Sequence, residues 1–405
     1  MKILLSATYP FIYLLLFFAI PFDNYFRVLP NILLGLLVLS FPFVVSKEDF
    51  KKLHKVPTLL FICFVAILLI LSLASGRLES DSAIIQKVGL AVLFAILYIP
   101  VRDFRKIKLT IILSALAVIV FSVIKILIII YTSEEIVLGY SREVVESLLI
   151  DRIYIGLLSI LSILVSYQSL NKQYHPNNKY HLINIIINLL FLLLMVSKVA
   201  LLVLGVIVLV KQLYSKKKVF KYLAATILIV AGVFTIGLIN KSIKPSNQQS
   251  QTSFLQNTLT WEMRTTVWEN ASYIITSNPL LLKGFGYKET KEKLVASYGS
   301  RIEDKQKQAR FVANRYNSHN QFLDFYLSFG IFAAGLFSGI LLLLLYKNKK
   351  YFLPTSFLIV VISFCLVENV FHRQIGAYYI GFVLTALLIK NSFMLTKNDT
   401  IKDTQ

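Results

Sequence analysis

Long, uninterrupted apolar runs constrain the fold of this sequence more than any other feature. Residues 11–20, 59–73 and 111–130 are the apolar centres of such runs, and a helix needs roughly 20 residues to cross a membrane. A mean hydropathy of +0.70 also lies outside the range of soluble globular proteins. The runs are continuous, whereas the strands of a membrane barrel alternate apolar and polar residues. The sequence therefore predicts an all-α polytopic membrane protein.

About twelve transmembrane helices are predicted from these runs. They are placed at 3–21, 28–46, 56–75, 82–100, 109–131, 153–170, 182–197, 199–214, 221–240, 321–346, 351–370 and 374–391. The net charge of +21 comes mostly from Lys and Arg in the short loops between runs, which is the positive-inside pattern and not a nucleic-acid surface. The Lys-rich loops fall on one side of the membrane if both termini are cytoplasmic.

Residues 181–214 admit two interpretations. They form two short helices that meet at Ser197 and Lys198, or one long tilted helix with a lysine at its centre. A central lysine costs about 2.5–3.5 kcal/mol on insertion scales, which favours the two-helix interpretation.

Three regions follow from this layout. Residues 1–240 carry transmembrane helices 1–9, residues 241–320 form a long loop on the outer side with short helices, and residues 321–405 carry helices 10–12 and a cytoplasmic tail. The long loop holds twelve Lys or Arg against six Asp or Glu, counted over 241–318. Loops on the outer side usually contain few Lys and Arg, so this excess indicates either a solvated basic surface or an anionic ligand such as pyrophosphate.

The mixed-charge stretch at 289–315 is expected to form exposed helices that are only a solvated connection between the two ends of the loop.

Several polar residues near the outer face are candidates for chemistry. Arg264 and Trp268 are four residues apart and share one helix face, although a Trp there is also typical of an interfacial anchor. His319 precedes Asn320 where the long loop re-enters the membrane. An imidazole there can accept a proton near neutral pH, whereas a lone loop histidine is often only structural.

A second group of candidates lies on the flanking helices. Arg152 begins a predicted helix and is either a phosphate ligand or a snorkelling arginine. Glu368 near the outer end of a helix needs a partner, for which Arg373 and Lys198 are candidates, and His372 beside it is a weaker candidate base. No acidic pair on the outer face has metal-ligand spacing, so we expect neither a metal nor a cofactor.

The order of the motifs resembles the O-antigen ligase and polymerase superfamily of bacterial envelope glycan transferases. The matching pieces are Arg264-x-x-x-Trp268, Gly284-Phe285-Gly286 and Ser318-His319-Asn320. Upstream, Ser197-Lys198 resembles the Ser-Arg-x-Ala segment of the family, with Lys where the family commonly has Arg.

This resemblance implies a glycan that is carried on undecaprenyl pyrophosphate and transferred at the periplasmic face of the bacterial inner membrane. The acceptor is a lipid A-core sugar hydroxyl in a ligase of lipopolysaccharide biosynthesis, or another lipid-linked repeat unit in a polymerase. By the same resemblance His319 is the general base, and Arg264, Arg152 and Lys198 hold the pyrophosphate. The residues that could support this base and these cations are Trp268, Asn320, Glu368, His372 and Arg373. The motifs favour ligase over polymerase.

A lipid-linked glycan transporter is the alternative from another functional class. It would distribute charged residues along the helices and show symmetric halves. The sequence instead concentrates polar residues in one loop and shows no internal repeat. It therefore favours a transferase.

Overall fold

A computed structural model describes residues 2–23, 25–26, 28–101, 104–133, 144, 148–170, 175–214, 262–278 and 282–389. The structure is 83% helical, and the described residues contain no strand beyond one isolated bridge between Leu53 and Ile389. The all-α prediction is therefore confirmed.

The described residues form sixteen α-helices and two short 3₁₀ turns. The first nine helices are α1 (Lys2–Ala19), α2 (Leu29–Val44), α3 (Lys47–Phe50), α4 (Lys55–Ala74), α5 (Leu78–Leu97), α6 (Phe104–Ser133), α7 (Arg152–Ser169), α8 (Asn178–Leu194) and α9 (Lys198–Leu213). The others are α10 (Glu262–Ser277), α11 (Tyr287–Arg301), α12 (Lys305–Asn314), α13 (Gln321–Phe329), α14 (Ile331–Asn348), α15 (Phe352–Val367) and α16 (Gln374–Leu388). The 3₁₀ turns are Ile20–Phe22 and Val370–His372.

Six helical stretches are long and apolar enough to cross a membrane. They are Ile3–Phe22, Lys55–Ala74, Leu78–Leu97, Arg105–Thr132, Arg152–Ser169 and Ile331–Asn348. Helices also occupy the other predicted spans, except 221–240, which lies outside the described residues. The protein is thus a membrane protein, and the count of about twelve crossings stays a prediction.

One predicted span, 321–346, is two helices and not one. Helix α13 ends at Phe329, and Gly330 with φ of +88° separates it from α14. The amides of Phe285 and Gly286 donate to the carbonyls of Leu327 and Ser328 at 2.7 and 2.8 Å. In a continuous helix those carbonyls would accept from residues 331 and 332, so the turn at 284–286 replaces helical bonds at this point.

The turn at 284–286 requires glycine at its first position. Gly284 has φ of +65°, and a Cβ built there would lie 2.4 Å from the backbone of Ser328. Only glycine allows both this dihedral and this approach.

Residues 181–214 contain two helices, as the cost of a central lysine favoured. Helix α8 ends at Leu194, Val196 adopts φ of +49°, and α9 begins at Lys198. Gly156 on α7 brings this break close to Arg152, because a Cβ at Gly156 would lie 3.0 Å from Ser197 Oγ. Arg152 lies one helical turn before Gly156 and thus near the start of α9.

Helices α10 to α12 pack with α13 around a small apolar core. Its buried members are Val267, Ala271, Ile274, Leu294, Tyr298, Ile302, Phe311 and Leu327. The prediction that 289–315 is only solvated connection is therefore wrong, because four of these eight side chains come from that stretch. These helices are rich in charged residues, but each also has one apolar face, and that face is buried.

Candidate active site

His319 lies in a tight loop at the start of α13. Its φ is +42°, an uncommon conformation for a residue other than glycine, and its amide donates to Asn317 Oδ1 at 3.0 Å. Asn320 caps α13, since its Oδ1 accepts from the amides of Phe322 and Leu323 at 2.9 and 3.1 Å. The cap and the turn together fix the direction in which the imidazole leaves the backbone.

Glu368, the residue after α15, faces this imidazole. Its Oε2 lies 3.4 Å from His319 Nδ1, and both side chains are mostly buried, at 17% and 15% exposure. This contact favours the tautomer in which Nδ1 carries the proton and Nε2 is a base.

The pKa of the Glu368 carboxyl lies below its ordinary value. Burial alone raises it, but the contact with His319, the charge of Arg264 and the hydrogen bond from the Asn369 amide together outweigh burial. Glu368 is therefore ionised at neutral pH, as a carboxylate that orients an imidazole must be.

Asn369 joins the loop of His319 to the loop after α15. Its side chain is buried, and its Oδ1 accepts from the Asn320 amide at 2.6 Å and from Ser318 Oγ at 3.1 Å. Its Nδ2 donates to Asp324 Oδ1 at 3.3 Å. Asn369 is not identifiable as a site residue from local sequence, because these three partners lie 45 to 51 residues away.

A second histidine–carboxylate pair lies on the other side of Asn369. His372 Nε2 is 3.0 Å from Oδ2 of Asp324, a carboxylate that is 2% exposed. Lys87 Nζ donates to the His372 carbonyl at 2.7 Å and so holds this turn to α5. His372 is a candidate from the sequence, whereas Asp324 is not. An acidic residue within a predicted span nevertheless indicates a functional site, so Asp324 could have been identified.

Three cations gather on the Glu368 side of the site. Arg264 Nε donates to the Val367 carbonyl at 3.0 Å, next to Glu368. The charge of Arg264 acts on Arg152 and on Glu368, and the charge of Arg152 acts on Lys198. Burial lowers the pKa of Arg264, and the Glu368 charge partly offsets that effect. The structure thus brings Arg152, Lys198 and Arg264 into one electrostatic cluster beside the His319–Glu368 pair.

The suggested pairing of Glu368 with Arg373 is wrong. Arg373 forms an ion pair with Asp151, because the 3₁₀ turn at Val370–His372 carries it away from Glu368. Lys198 begins α9, and the charge of Arg152 acts on it. His319, which does contact Glu368, lies 49 residues earlier and could not be predicted from local spacing.

Trp268 contacts the loop that carries His319. Its indole Nε1 donates to the Ser318 carbonyl at 3.1 Å. Trp268 and Arg264 share a face of α10, as predicted, and that face meets both the His319 loop and the end of α15. Among the described residues, no three His, Cys, Asp or Glu side chains are placed to hold a metal ion.

The fold and site together define a membrane protein in which a buried histidine–carboxylate pair lies beside clustered cations. The model of the O-antigen ligase family matches residues 183–338, so this part of the chain is similar to the O-antigen ligase superfamily. A search of curated proteins gives no match. The matched range includes His319, Arg264 and Lys198, while Arg152, Glu368 and His372 lie outside it. The similarity indicates a membrane glycosyltransferase-like enzyme.

Proposed function

We propose that this protein is an O-antigen ligase-type transferase. It moves a glycan from undecaprenyl pyrophosphate to a sugar hydroxyl of lipid A-core, without a metal or other cofactor. The observation that carries the proposal is the juxtaposition of the His319–Glu368 pair with Arg152, Lys198 and Arg264. A general base and a phosphate-binding cluster are the two groups that such a transfer needs.

In the proposed reaction, His319 Nε2 removes the proton of the acceptor hydroxyl. The acceptor oxygen bonds to the anomeric carbon of the donor sugar, and the bond from that carbon to the pyrophosphate oxygen breaks. Undecaprenyl pyrophosphate leaves with the bonding electron pair. Glu368 stabilises the imidazolium that forms, and the cations stabilise the charge on the leaving group.

Two helix N-termini support pyrophosphate binding at this position. Arg152 is the first residue of α7, and Lys198 is the first residue of α9. Backbone amides at a helix start have no partner within the helix, and the helix dipole favours negative charge there. The arginines add planar donors that match phosphate oxygens.

We place this chemistry at the periplasmic face of the bacterial inner membrane. The periplasmic loop comprises residues 241–320, and both termini are cytoplasmic. The alternation of Lys-rich and Lys-poor loops along the sequence supports this orientation. A periplasmic site also suits a donor whose lipid part stays in the bilayer while its glycan extends into water.

Transfer by the purified protein in vesicles tests the proposal. The vesicles contain undecaprenyl-pyrophosphate-linked glycan and one acceptor, either lipid A-core or a second lipid-linked unit. We expect glycosylated lipid A-core, at the same rate after EDTA treatment. Product formed only with the lipid-linked unit would instead identify a polymerase, and loss of product in EDTA would refute metal-free transfer. Absence of product with both acceptors, together with movement of the donor across the bilayer, would identify a transporter.

A further inference from the structure

A polar cavity lies beside the His372–Asp324 pair. Its volume is about 120 Å³, and its wall includes Tyr287, Lys291, Arg315, Asp324 and His372. A cavity of roughly 150 Å³ holds one benzene ring, so this smaller one encloses part of a sugar ring while the rest extends through the open mouth.

The charges on the cavity wall favour an anionic ligand. Asp324 is buried, and its carboxylate is already contacted by His372, Asn369 and Gln321 at 3.0 to 3.3 Å. Lys291 and Arg315 also line the cavity, and neither forms an ion pair within the part of the chain that the structure describes. The negative charge is thus satisfied internally, whereas two positive charges remain for a ligand.

The remaining wall suits a polyhydroxylated ring. Thr290, Asn317 and Ser318 contribute hydroxyl and amide groups that both donate and accept. The Tyr287 ring meets the His372 ring edge-on, with centroids 5.1 Å apart. Burial and the Asp324 charge raise the pKa of Tyr287, so its phenol keeps the proton and can donate to a ligand oxygen. An aromatic surface with several small polar groups is typical of a specific small-molecule site.

The cavity adjoins the loop that carries His319. Ser318, which lines it, is the preceding residue, and Asn317 Oδ1 accepts from the His319 amide at 3.0 Å. None of the three cations assigned to the donor pyrophosphate lines this cavity, so the cavity is available to the second substrate.

We infer that this cavity binds the acceptor sugar and selects an acceptor that carries a carboxylate or phosphate group. Lys291 and Arg315 bind that anionic group, while Thr290 and Tyr287 hydrogen-bond to the ring. The inference rests on the proposed function, because an acceptor exists only if the protein is a transferase. The binding itself can be measured without any transfer.

Binding of small probes to the full-length protein in nanodiscs tests the cavity directly. The probes are glucuronic acid, glucose 6-phosphate, glucose and inorganic phosphate, titrated by NMR. We expect both acidic sugars to bind about tenfold more tightly than glucose, because charge-assisted hydrogen bonds exceed neutral ones. They should also bind more tightly than inorganic phosphate, which lacks the ring. Equal binding of glucose, or of inorganic phosphate and glucose 6-phosphate, would overturn the inference.

Substitutions in the cavity wall test whether the acidic sugars bind at this site. The double variant Lys291→Ala with Arg315→Ala should lose the preference for acidic sugars and keep weak binding of glucose. The matched control is Lys288→Ala, since Lys288 is exposed on the same helix and does not line the cavity. An unchanged preference in the double variant, or an equal loss in the control, would place the anion elsewhere.

The transfer assay separates failure of the inference from failure of the proposed function. With an acidic acceptor, the double variant should raise KM by about tenfold and leave kcat unchanged, because uniform binding is lost. If the wild type transfers glycan equally well to neutral and acidic acceptors, the acceptor assignment fails and the proposed function stands. If it transfers to none while binding acidic sugars, the proposed function fails.

Discussion

At the scale of single residues, the site is a set of polar side chains held by buried neighbours. His319 and Glu368 form the reactive pair, and Asn369 fixes their two loops against each other. His319 and Arg264 could be predicted because each belongs to a short motif. Asp324 and Asn369 belong to no such motif, and their importance comes from contacts between residues far apart in sequence. Polar side chains in apolar surroundings were the only available signal for both.

Glu368→Gln tests the orienting role of the carboxylate. The amide has the same shape but no charge, so it cannot stabilise the imidazolium that forms at His319. We expect kcat to fall about 10–100-fold with little change in KM, as for other partners that orient a functional histidine. The measurement is steady-state transfer at several donor concentrations.

The control for this variant is Glu303→Gln, since Glu303 is exposed between α11 and α12. It should retain wild-type kcat. A rise in KM alone in Glu368→Gln would show that Glu368 acts in substrate binding and not on His319.

The charge of Glu368 also has a consequence for acid stability. Its pKa in the folded protein lies below the ordinary 4.5, so its ionised form stabilises the fold above pH 4.5. That contribution is lost as pH falls through the lower folded-state pKa. The wild type should therefore lose more stability than Glu368→Gln when thermal unfolding is compared at neutral pH and below pH 4. Equal losses would mean that the charge does not stabilise the fold.

At the scale of helices, the site depends on where helices begin and break. Apolar runs predicted most helices because length and continuity are sufficient signals. The break at Gly330 was not predicted, because it depends on backbone bonds to the turn at 284–286, more than 40 residues earlier. The break at Val196 is predicted only because burying Lys198 at the centre of one long helix would be energetically costly.

Gly156→Leu tests the close contact that brings Arg152 to Lys198. A Cβ at Gly156 would already lie 3.0 Å from Ser197 and Ala200, so a larger side chain must separate α7 from α9. We expect transfer to fall at least tenfold, with about 1–3 kcal/mol of destabilisation from overpacking.

Gly339→Leu is the matched control, since a Cβ at Gly339 has no neighbour within 4 Å. It should leave both the transfer rate and the melting temperature unchanged. Full activity in Gly156→Leu would show that this helix contact does not set the spacing of the two cations.

At the scale of the whole molecule, the orientation in the membrane decides which face can hold the reaction. The proposed topology is tested by cysteine labelling in a variant that lacks Cys63 and Cys365. We expect Lys305→Cys, on exposed helix α12, to react with an impermeant maleimide in spheroplasts. Lys51→Cys should react only after permeabilisation. The reverse pattern would place the site in the cytoplasm and contradict a periplasmic reaction.

The most direct test of the central claim is the transfer rate of His319→Ala to lipid A-core in vesicles, per mole of inserted protein. General-base help is typically worth 10²–10⁴-fold. We predict a loss in that range at an unchanged melting temperature, while His175→Ala, which alters an exposed histidine remote in sequence, retains the wild-type rate. Transfer by folded His319→Ala at the wild-type rate would contradict the assignment of His319 as the base.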